Sequence, residues 1–441
     1  MRTIKIKHIG PVKEANLELK KINLLIGSQS TGKSTIAKIV CYCTWVEKEI
    51  CQNLSPEKFE EEGYFEENLV VFHKMKGFIS KKSYIEFETA VLSFKFSDRK
   101  FTFEWKDLRK YKRIKTLYIP AERNIVAVIP NWFEVNLERN NTRSFLADWE
   151  RVRKYYSQEN PLKILDLAQY YYNENSKTDN ISYRNKQNLL FSSVSSGFQT
   201  ITPLLGLFHY YSELYYKDNM WRTEENITFI EKFKNQIRIL DSLPKENNVH
   251  INQIVEDYLK NNKNRKEFKF FNQTLTPSNH DDTTEKKSYA LLQFVGELNT
   301  PHTTAFFIEE PELNLYPETQ RALMNQIITS INKAEHSIFI TTHSPYLLTS
   351  INNLMYAAEV GKENETAVDK IIPKNRWVHK TDVAAWKIDN LTFKLHSLLD
   401  EEIAMLKAEE IDDVSNIINN EFDNLFDISH NSIDQNYNEQ V

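Results

Sequence analysis

Residues 22–43 read "INLLIGSQSTGKSTIAKIVCYC". Three local patterns follow one another there. Ile22–Ile26 has the apolar pattern of a strand. Gly27 to Ser34 spells G-x-x-x-x-G-K-S, and apolar residues then recur at helical spacing. Strand, glycine loop and helix together form the frame in which a backbone cradles a phosphate. The loop N–H groups and the helix N-terminus face the anion. The candidate nucleotide-binding residues are therefore Gly27, Ser30, Thr31, Gly32, Lys33, Ser34 and Thr35. Lys33 is expected to neutralise the β- and γ-phosphates, and the Ser34 hydroxyl to ligate Mg²⁺. Glycine is otherwise scarce: the chain has nine, where average usage of ~7% predicts about thirty. Glycines that persist mark backbone that needs them.

Three further stretches bear on the same chemistry. "FFIEEPELNLYPETQ" (306–320) runs from an apolar strand, Ala305–Ile308, straight into Glu309, Glu310 and Glu312. Carboxylates at the mouth of a buried strand need a cation. Glu309 is the expected Mg²⁺ ligand. Glu310 is the expected catalytic residue, orienting and deprotonating the attacking water. Phosphoryl transfer needs positioning and charge neutralisation more than covalent help. "HSIFITTHSPYLL" (336–348) places His343 just past a second buried strand, Ile338–Ile340, within reach of the same pocket. Its expected role is a hydrogen bond to the γ-phosphate or to the water. "VSSGFQTITPLLGLF" (194–208) sets Ser195, Ser196 and Gly197 at the start of an apolar helix. That is either an ordinary N-cap or a second anion site.

The ordered set "GSQSTGKST", "SSGFQ", "FFIEEPELNLYP" and "TTHS" resembles the ABC ATPase superfamily, in the branch with SMC, RecF and OLD proteins. Within it the chain looks most like stand-alone bacterial ATPases, including the ATPase subunits of two-gene anti-phage systems such as PARIS and Septu. The resemblance implies an α/β P-loop NTPase of ABC-ATPase type, with a mixed central sheet, an N-terminal antiparallel β lobe and inserted helical regions. It implies an ATP-dependent sandwich homodimer or higher oligomer. Gly27–Thr35 of one subunit binds ATP, Ser195, Ser196 and Gly197 of the other cap its γ-phosphate, and Leu313–Tyr316 forms the D-loop. Three features depart from the usual pattern. Glu309 stands where most ABC proteins have Asp. No glutamine occurs between Gln52 and Gln158, so Glu122 or Arg123 in "TLYIPAERN" (116–124) is the stand-in for the Q-loop residue, with Glu122 taken as the nucleotide contact. About 110 residues separate Gly197 from Glu309, so an insertion lies between them.

The expected organisation is a lobe carrying the phosphate loop (1–135), a helical lobe carrying the signature motif (136–216), a helical insertion (217–298), a Walker B, D-loop and H-loop segment (299–350) and a C-terminal segment with an acidic tail (351–441). "YIEFETAVLSFKFSDRKFTFEW" (84–105) alternates as hairpins do. "ITFIEKFKNQIRIL" (227–240) is amphipathic at helical spacing. "KDLRKYKRIK" (106–115) carries six cations and reads either as a solvated hairpin edge or as a nucleic-acid patch. A second cationic cluster spans Lys260, Lys263, Arg265, Lys266 and Lys269. His280, Asp281 and Asp282 read as a polar loop rather than a metal site.

Net charge is −5, so no global polycation field attracts nucleic acid. No signal-peptide core and no membrane-length apolar run is visible. Cys41, Cys43 and Cys51 are odd in number and fit reduced thiols. These features imply a cytoplasmic protein with no membrane partner. The long insertions argue against a transporter subunit. Two readings then compete. One is an ATPase switch of an anti-phage system, with a phage or nucleic-acid trigger and a separately encoded effector such as a nuclease. The other is an SMC- or RecF-like DNA-maintenance ATPase.

Overall fold

The structure is a computed structural model that describes residues 2–129, 138–183, 187–217, 256–257, 260–261, 267–270, 273–275, 283–400, 405–407 and 418–426. The helix expected at 227–240, the cationic residues 263–266, the loop at 280–282 and the tail beyond residue 426 lie outside that set.

Each short apolar run becomes a strand. The N-terminal lobe is a five-stranded antiparallel sheet of β1 (Arg2–Ile9), β2 (Val12–Leu19), β4 (Tyr84–Glu88), β5 (Leu92–Ser97) and β6 (Lys100–Trp105), in the order β2-β1-β4-β5-β6. Strict alternation in β5, buried at Leu92, Phe94 and Phe96, buries one face as antiparallel strands do. Asp98 and Arg99, both at positive φ (49° and 59°), make the two-residue turn into β6.

The second sheet carries the site. β3 (Ile22–Ile26) lies inside a six-stranded sheet with β7 (Arg113–Ile119), β14 (Pro301–Glu309), β15 (Ser337–Thr342), β16 (Val383–Ile388) and β17 (Leu395–Ser397). The order is β17-β16-β3-β15-β14-β7. All neighbours run parallel except the β16/β17 pair. A parallel sheet is covered on both faces, and the side chains divide accordingly. Ile22, Leu24, Ile26, Phe306, Ile308, Ile338 and Ile340 enter one core, with α2 (Asn141–Arg153), α3 (Ser196–His209), α5 (Pro317–Asn332) and α6 (Pro345–Asp369). Leu25, Ala305, Phe307 and Phe339 enter the other, between the sheet, α1 (Lys33–Asn53), α4 (Thr283–Asn299) and the antiparallel lobe. Each of these large apolar side chains is stabilising by roughly 1.5–3 kcal/mol on burial.

Two expectations change. The stretch expected to be helical from residue 136 holds α2, but then a four-stranded antiparallel sheet of β8 (Leu162–Ile164), β9 (Ala168–Asn173), β10 (Thr178–Tyr183) and β11 (Gln187–Leu190). Aromatic "AQYYYN" favours a pleated surface over a helix, and the Asn173 side chain closes the turn by accepting from the N–H groups of Asn175 and Ser176. Within the insertion, β12 (Phe268–Phe270) and β13 (Gln273–Leu275) pair as a separate antiparallel ribbon ahead of α4. The segment after residue 350, set apart in sequence as a C-terminal segment with an acidic tail, belongs in part to the core. Residue 350 falls inside α6, and β16 pairs with β3 along Val383–Lys387.

Helix α3 is seated by one close approach. Trp149 is fully buried, and a Cβ on Gly206 would come within 2.8 Å of its ring. Only glycine lets the indole lie against the helix. Trp149→Ala is expected to cost about 4 kcal/mol, read as a lower urea midpoint of unfolding.

Candidate active site

The carboxyl ends of β7, β14, β15 and β3 point to one edge, where parallel sheets place ligands. The register shows it: Glu309 sits opposite Thr341, Thr342 opposite Ile26, and Ile308 opposite Ile119. The loop Gly27–Gly32 leaves β3 at that edge. Its left-handed residues are Ser30 (φ 62°) and Gly32 (φ 106°), which turn successive N–H groups toward a common anion. Ser28, Gln29 and Ser30 are exposed, while Thr31, Gly32, Lys33 and Thr35 are buried. Ser34, half-buried, lies in the first turn of α1. The loop is braced on both sides. A Cβ on Gly32 would meet Val12 Cγ2 at 2.8 Å, and one on Gly27 would meet Ile388 Cβ at 3.3 Å. The Thr31 hydroxyl donates to the Ser28 carbonyl at 2.8 Å.

Lys33 folds back over this loop, and its ammonium donates to the carbonyls of Gly27 and Ser28, both at 2.8 Å. Burial pulls its pKa down to about 8, against the opposing pull of Glu310, Glu312 and Glu309. His343 Nδ1 stands 3.5 Å from Lys33 Nζ, and His343 Nε2 stands 3.4 Å from Glu310 Oε1. An ammonium only donates, so Nδ1 accepts and Nε2 carries the hydrogen directed at Glu310. That contact holds the Glu310 carboxyl below the usual carboxylate range. Lys33, His343 and Glu310 thus form one chain of contacts from the loop to the acid.

Glu309 is 5% exposed. Its Oε2 accepts from the Ala121 N–H at 3.4 Å, while its Oε1 is buried with no hydrogen-bond partner among the described residues. An orphaned buried carboxylate oxygen beside a phosphate loop fits a hard cation with oxygen ligands. Glu310 lies at φ 43°, in the left-handed region, and the turn is pinned by its N–H donating to the Thr341 carbonyl at 2.8 Å.

Two residues matter that sequence reading gave no role. Glu312 Oε1 accepts from the Thr342 hydroxyl and from the His343 N–H, both at 2.7 Å, so it anchors the loop that carries His343. The Gln320 side chain accepts from the Ser344 hydroxyl at 2.6 Å and donates to the Leu315 carbonyl at 2.9 Å, joining the segments after β14 and β15. The repeat of acids in "EEPE" was the available signal for Glu312. Glu312→Leu leaves two donors bare, at about 1–3 kcal/mol, and frees His343. Turnover is expected to fall about tenfold at unchanged nucleotide affinity, as read from kcat and KM.

The remaining candidates sit elsewhere. Ser195 and Ser196 are exposed at the start of α3, with Ser195 at the N-cap position and no side-chain cap bond. Among the described residues no hydrogen bond joins them to Gly27–Thr35. Gly197 faces the segment after the acids: a Cβ there would lie 2.9 Å from the Asn314 carbonyl oxygen. Glu122 is exposed on the turn after β7, whereas Arg123 is fully buried and turned inward. Of the two stand-ins, only Glu122 is exposed.

The cations of 106–115 are matched locally. Lys106 pairs with Glu88, Arg109 and Lys110 with Asp107 (2.8 and 3.9 Å), Lys112 with Glu335 (3.4 Å) and Lys115 with Asp148 (3.6 Å). Arg113 donates to the Asn299 carbonyl. Such pairs add little stability; these four carboxylates against six cations neutralise the run in part, and it is not a hairpin edge but the link from β6 into β7, the edge strand of the parallel sheet. Cys41, Cys43 and Cys51 are free and buried along α1. Among the described residues no helix is long and apolar enough to cross a membrane.

Residues 285–349 match the family described as "AAA domain, putative AbiEii toxin, Type IV TA system". No curated protein matches the chain. Among solved structures it is similar to the SMC head domain from Thermotoga maritima, at 8% identity and a TM-score of 0.35, over 90% of this chain and 98% of that one. It is similar also to the recombination mediator protein RecF-ATPrS of the RecFOR pathway, at 10% identity and a TM-score of 0.28, over 90% and 97%. The P-loop ATPase architecture expected from the motifs is the one the sheet order and the loop after β3 display.

Proposed function

We propose that this chain binds and hydrolyses Mg-ATP and uses the γ-phosphate as a switch for its own assembly. One observation carries the reading: the loop Gly27–Ser34, the acids Glu309 and Glu310, and His343 converge at the carboxyl ends of three adjacent parallel strands. The loop N–H groups and the α1 N-terminus hold the phosphates. Lys33 exchanges its carbonyl partners for phosphate oxygens. Ser34 and the orphaned Glu309 oxygen are the residues that hold Mg²⁺, whose positive charge offsets that of the phosphates. Glu310, kept ionised by His343, accepts the proton of the attacking water. Glu122 is the nucleotide contact in place of a Q-loop glutamine.

Ser195, Ser196 and Gly197 stand at a helix N-terminus, the two serines exposed, with no hydrogen bond to their own chain's loop among the described residues. That placement suits an anion presented by a second copy. ATP then stabilises the dimer by mass action, and hydrolysis removes the bridge. We place this switch in a bacterial anti-phage system, as the sensor ATPase beside a separately encoded effector. The matched family's toxin–antitoxin description suits a protein that works with a second polypeptide. The DNA-maintenance reading needs a basic track across the dimer, and the net charge of −5 with the partial neutralisation of the run at 106–115 weighs against it. Measuring phosphate release by the purified chain, with and without Mg²⁺, tests the reading. Mg²⁺-dependent turnover is expected, and a chain that neither binds nor cleaves ATP would refute it.

A further inference from the structure

Arg123 is fully buried, and no carboxylate lies within ion-pairing distance of it among the described residues. Its guanidinium is spent on main-chain carbonyls instead. Nε donates to Thr200 at 3.1 Å, one terminal nitrogen to Pro120 (3.3 Å) and Glu309 (2.8 Å), and the other to Glu310 (2.8 Å). Those acceptors belong to three segments: the turn after β7, helix α3, and the acidic end of β14. A buried cation bonded only to carbonyls is a costly way to hold a core together. A rigid fork of donors is, however, an accurate clamp.

What it clamps is specific. The Glu310 carbonyl belongs to the residue at φ 43°, a conformation that persists only where its surroundings hold it. The N–H of that residue is held by Thr341 and its carbonyl by Arg123. The Thr200 carbonyl lies one turn into α3, whose N-terminal end carries Ser195–Gly197. The Thr200 hydroxyl lies beside it, its one hydrogen shared among the Leu313 carbonyl (3.0 Å), in the turn that follows Glu310, and the Gly197 and Ser196 carbonyls of its own helix (3.0 and 3.1 Å). Sliding α3 along its axis breaks the Nε bond and loosens the peptide that aims Glu310.

We propose that Arg123 is a positioning residue that makes the aim of Glu310 conditional on the seating of helix α3. An anion seated on Ser195–Gly197 fixes the helix, the helix fixes Arg123, and Arg123 fixes the acid. In a two-copy assembly this couples the sites: nucleotide held by one copy licenses hydrolysis in the other. The inference rests on the reading of Glu310 as the catalytic base.

The test compares full-length wild type, Arg123→Lys and a core control, Ile351→Ala, whose fully buried side chain lies off this joint. Each is measured for ATP affinity with a fluorescent ATP analogue, for kcat and KM, and for its melting midpoint. Lysine keeps the charge but not the fork. Arg123→Lys is expected to lose about 100-fold in kcat with analogue affinity within about twofold of wild type, while the control loses melting temperature without that kcat loss. Thr200→Val removes the hydroxyl shared by Leu313 and the first turn of α3 without touching the cation and is expected to lose about tenfold in kcat. It decides the matter where Arg123→Lys does not fold. Wild-type kcat in a folded Arg123→Lys, wild-type kcat in Thr200→Val where the lysine variant does not fold, or a kcat loss no larger than the control's overturns the inference alone. Absence of turnover in wild type overturns the ATPase reading and the inference with it.

Discussion

Glu310→Gln is expected to lower kcat about a thousandfold while leaving ATP affinity within about twofold of wild type. Glutamine matches glutamate in shape, so the turn at φ 43° and its bonds to Thr341 and Arg123 remain. What disappears is the carboxylate that accepts a proton, a role worth roughly 10²–10⁴-fold. The contact with His343 Nε2 at 3.4 Å survives as a neutral one. Phosphate release under single-turnover conditions, set beside nucleotide binding at equilibrium, checks the split. Parallel losses in binding and turnover would instead mean that Glu310 holds the nucleotide rather than activates water.

Lys33→Ala is expected to weaken ATP binding at least about 100-fold. The ammonium already sits over the loop, bonded to the Gly27 and Ser28 carbonyls at 2.8 Å. Charge-assisted bonds to two phosphates contribute about 1.5–3 kcal/mol each, and every ~1.4 kcal/mol is tenfold in affinity. The nucleotide-free fold is expected to tolerate the change well, because removing Lys33 also removes the buried charge that the site must otherwise desolvate. Titration calorimetry checks the affinity and a thermal melt the fold. Unchanged affinity would show that the loop's N–H groups alone bind the phosphates.

The site was legible in sequence where chemistry is bound to short spacing. Gly27–Ser34 and Glu309–Glu310 each lie on consecutive residues at a strand end, so strand and motif announce each other. His343 required one further step, that two apolar runs be neighbours in a parallel sheet, and the β14/β15 pairing makes them so. Long-range partnerships were not legible. Arg123 meets Thr200 and Glu310 from 77 and 187 residues away, and nothing local marks it apart from Glu122 beside it. β16 was missed because a six-residue segment, apolar but for Lys387, is too short for its periodicity to separate strand from helix. β8–β11 were misread because tyrosine-rich segments with scattered charge fit either element until a partner strand buries one face.

ATP is expected to drive assembly of this chain, and mass by light scattering reads that assembly without an intermediate step. Glu310→Gln is measured with and without Mg-ATP, beside Lys33→Ala under the same conditions. Mg-ATP is expected to take Glu310→Gln from one chain to two or a multiple of two, and to leave Lys33→Ala unchanged. Stoichiometric ATP binding by Glu310→Gln with no change in mass would contradict it.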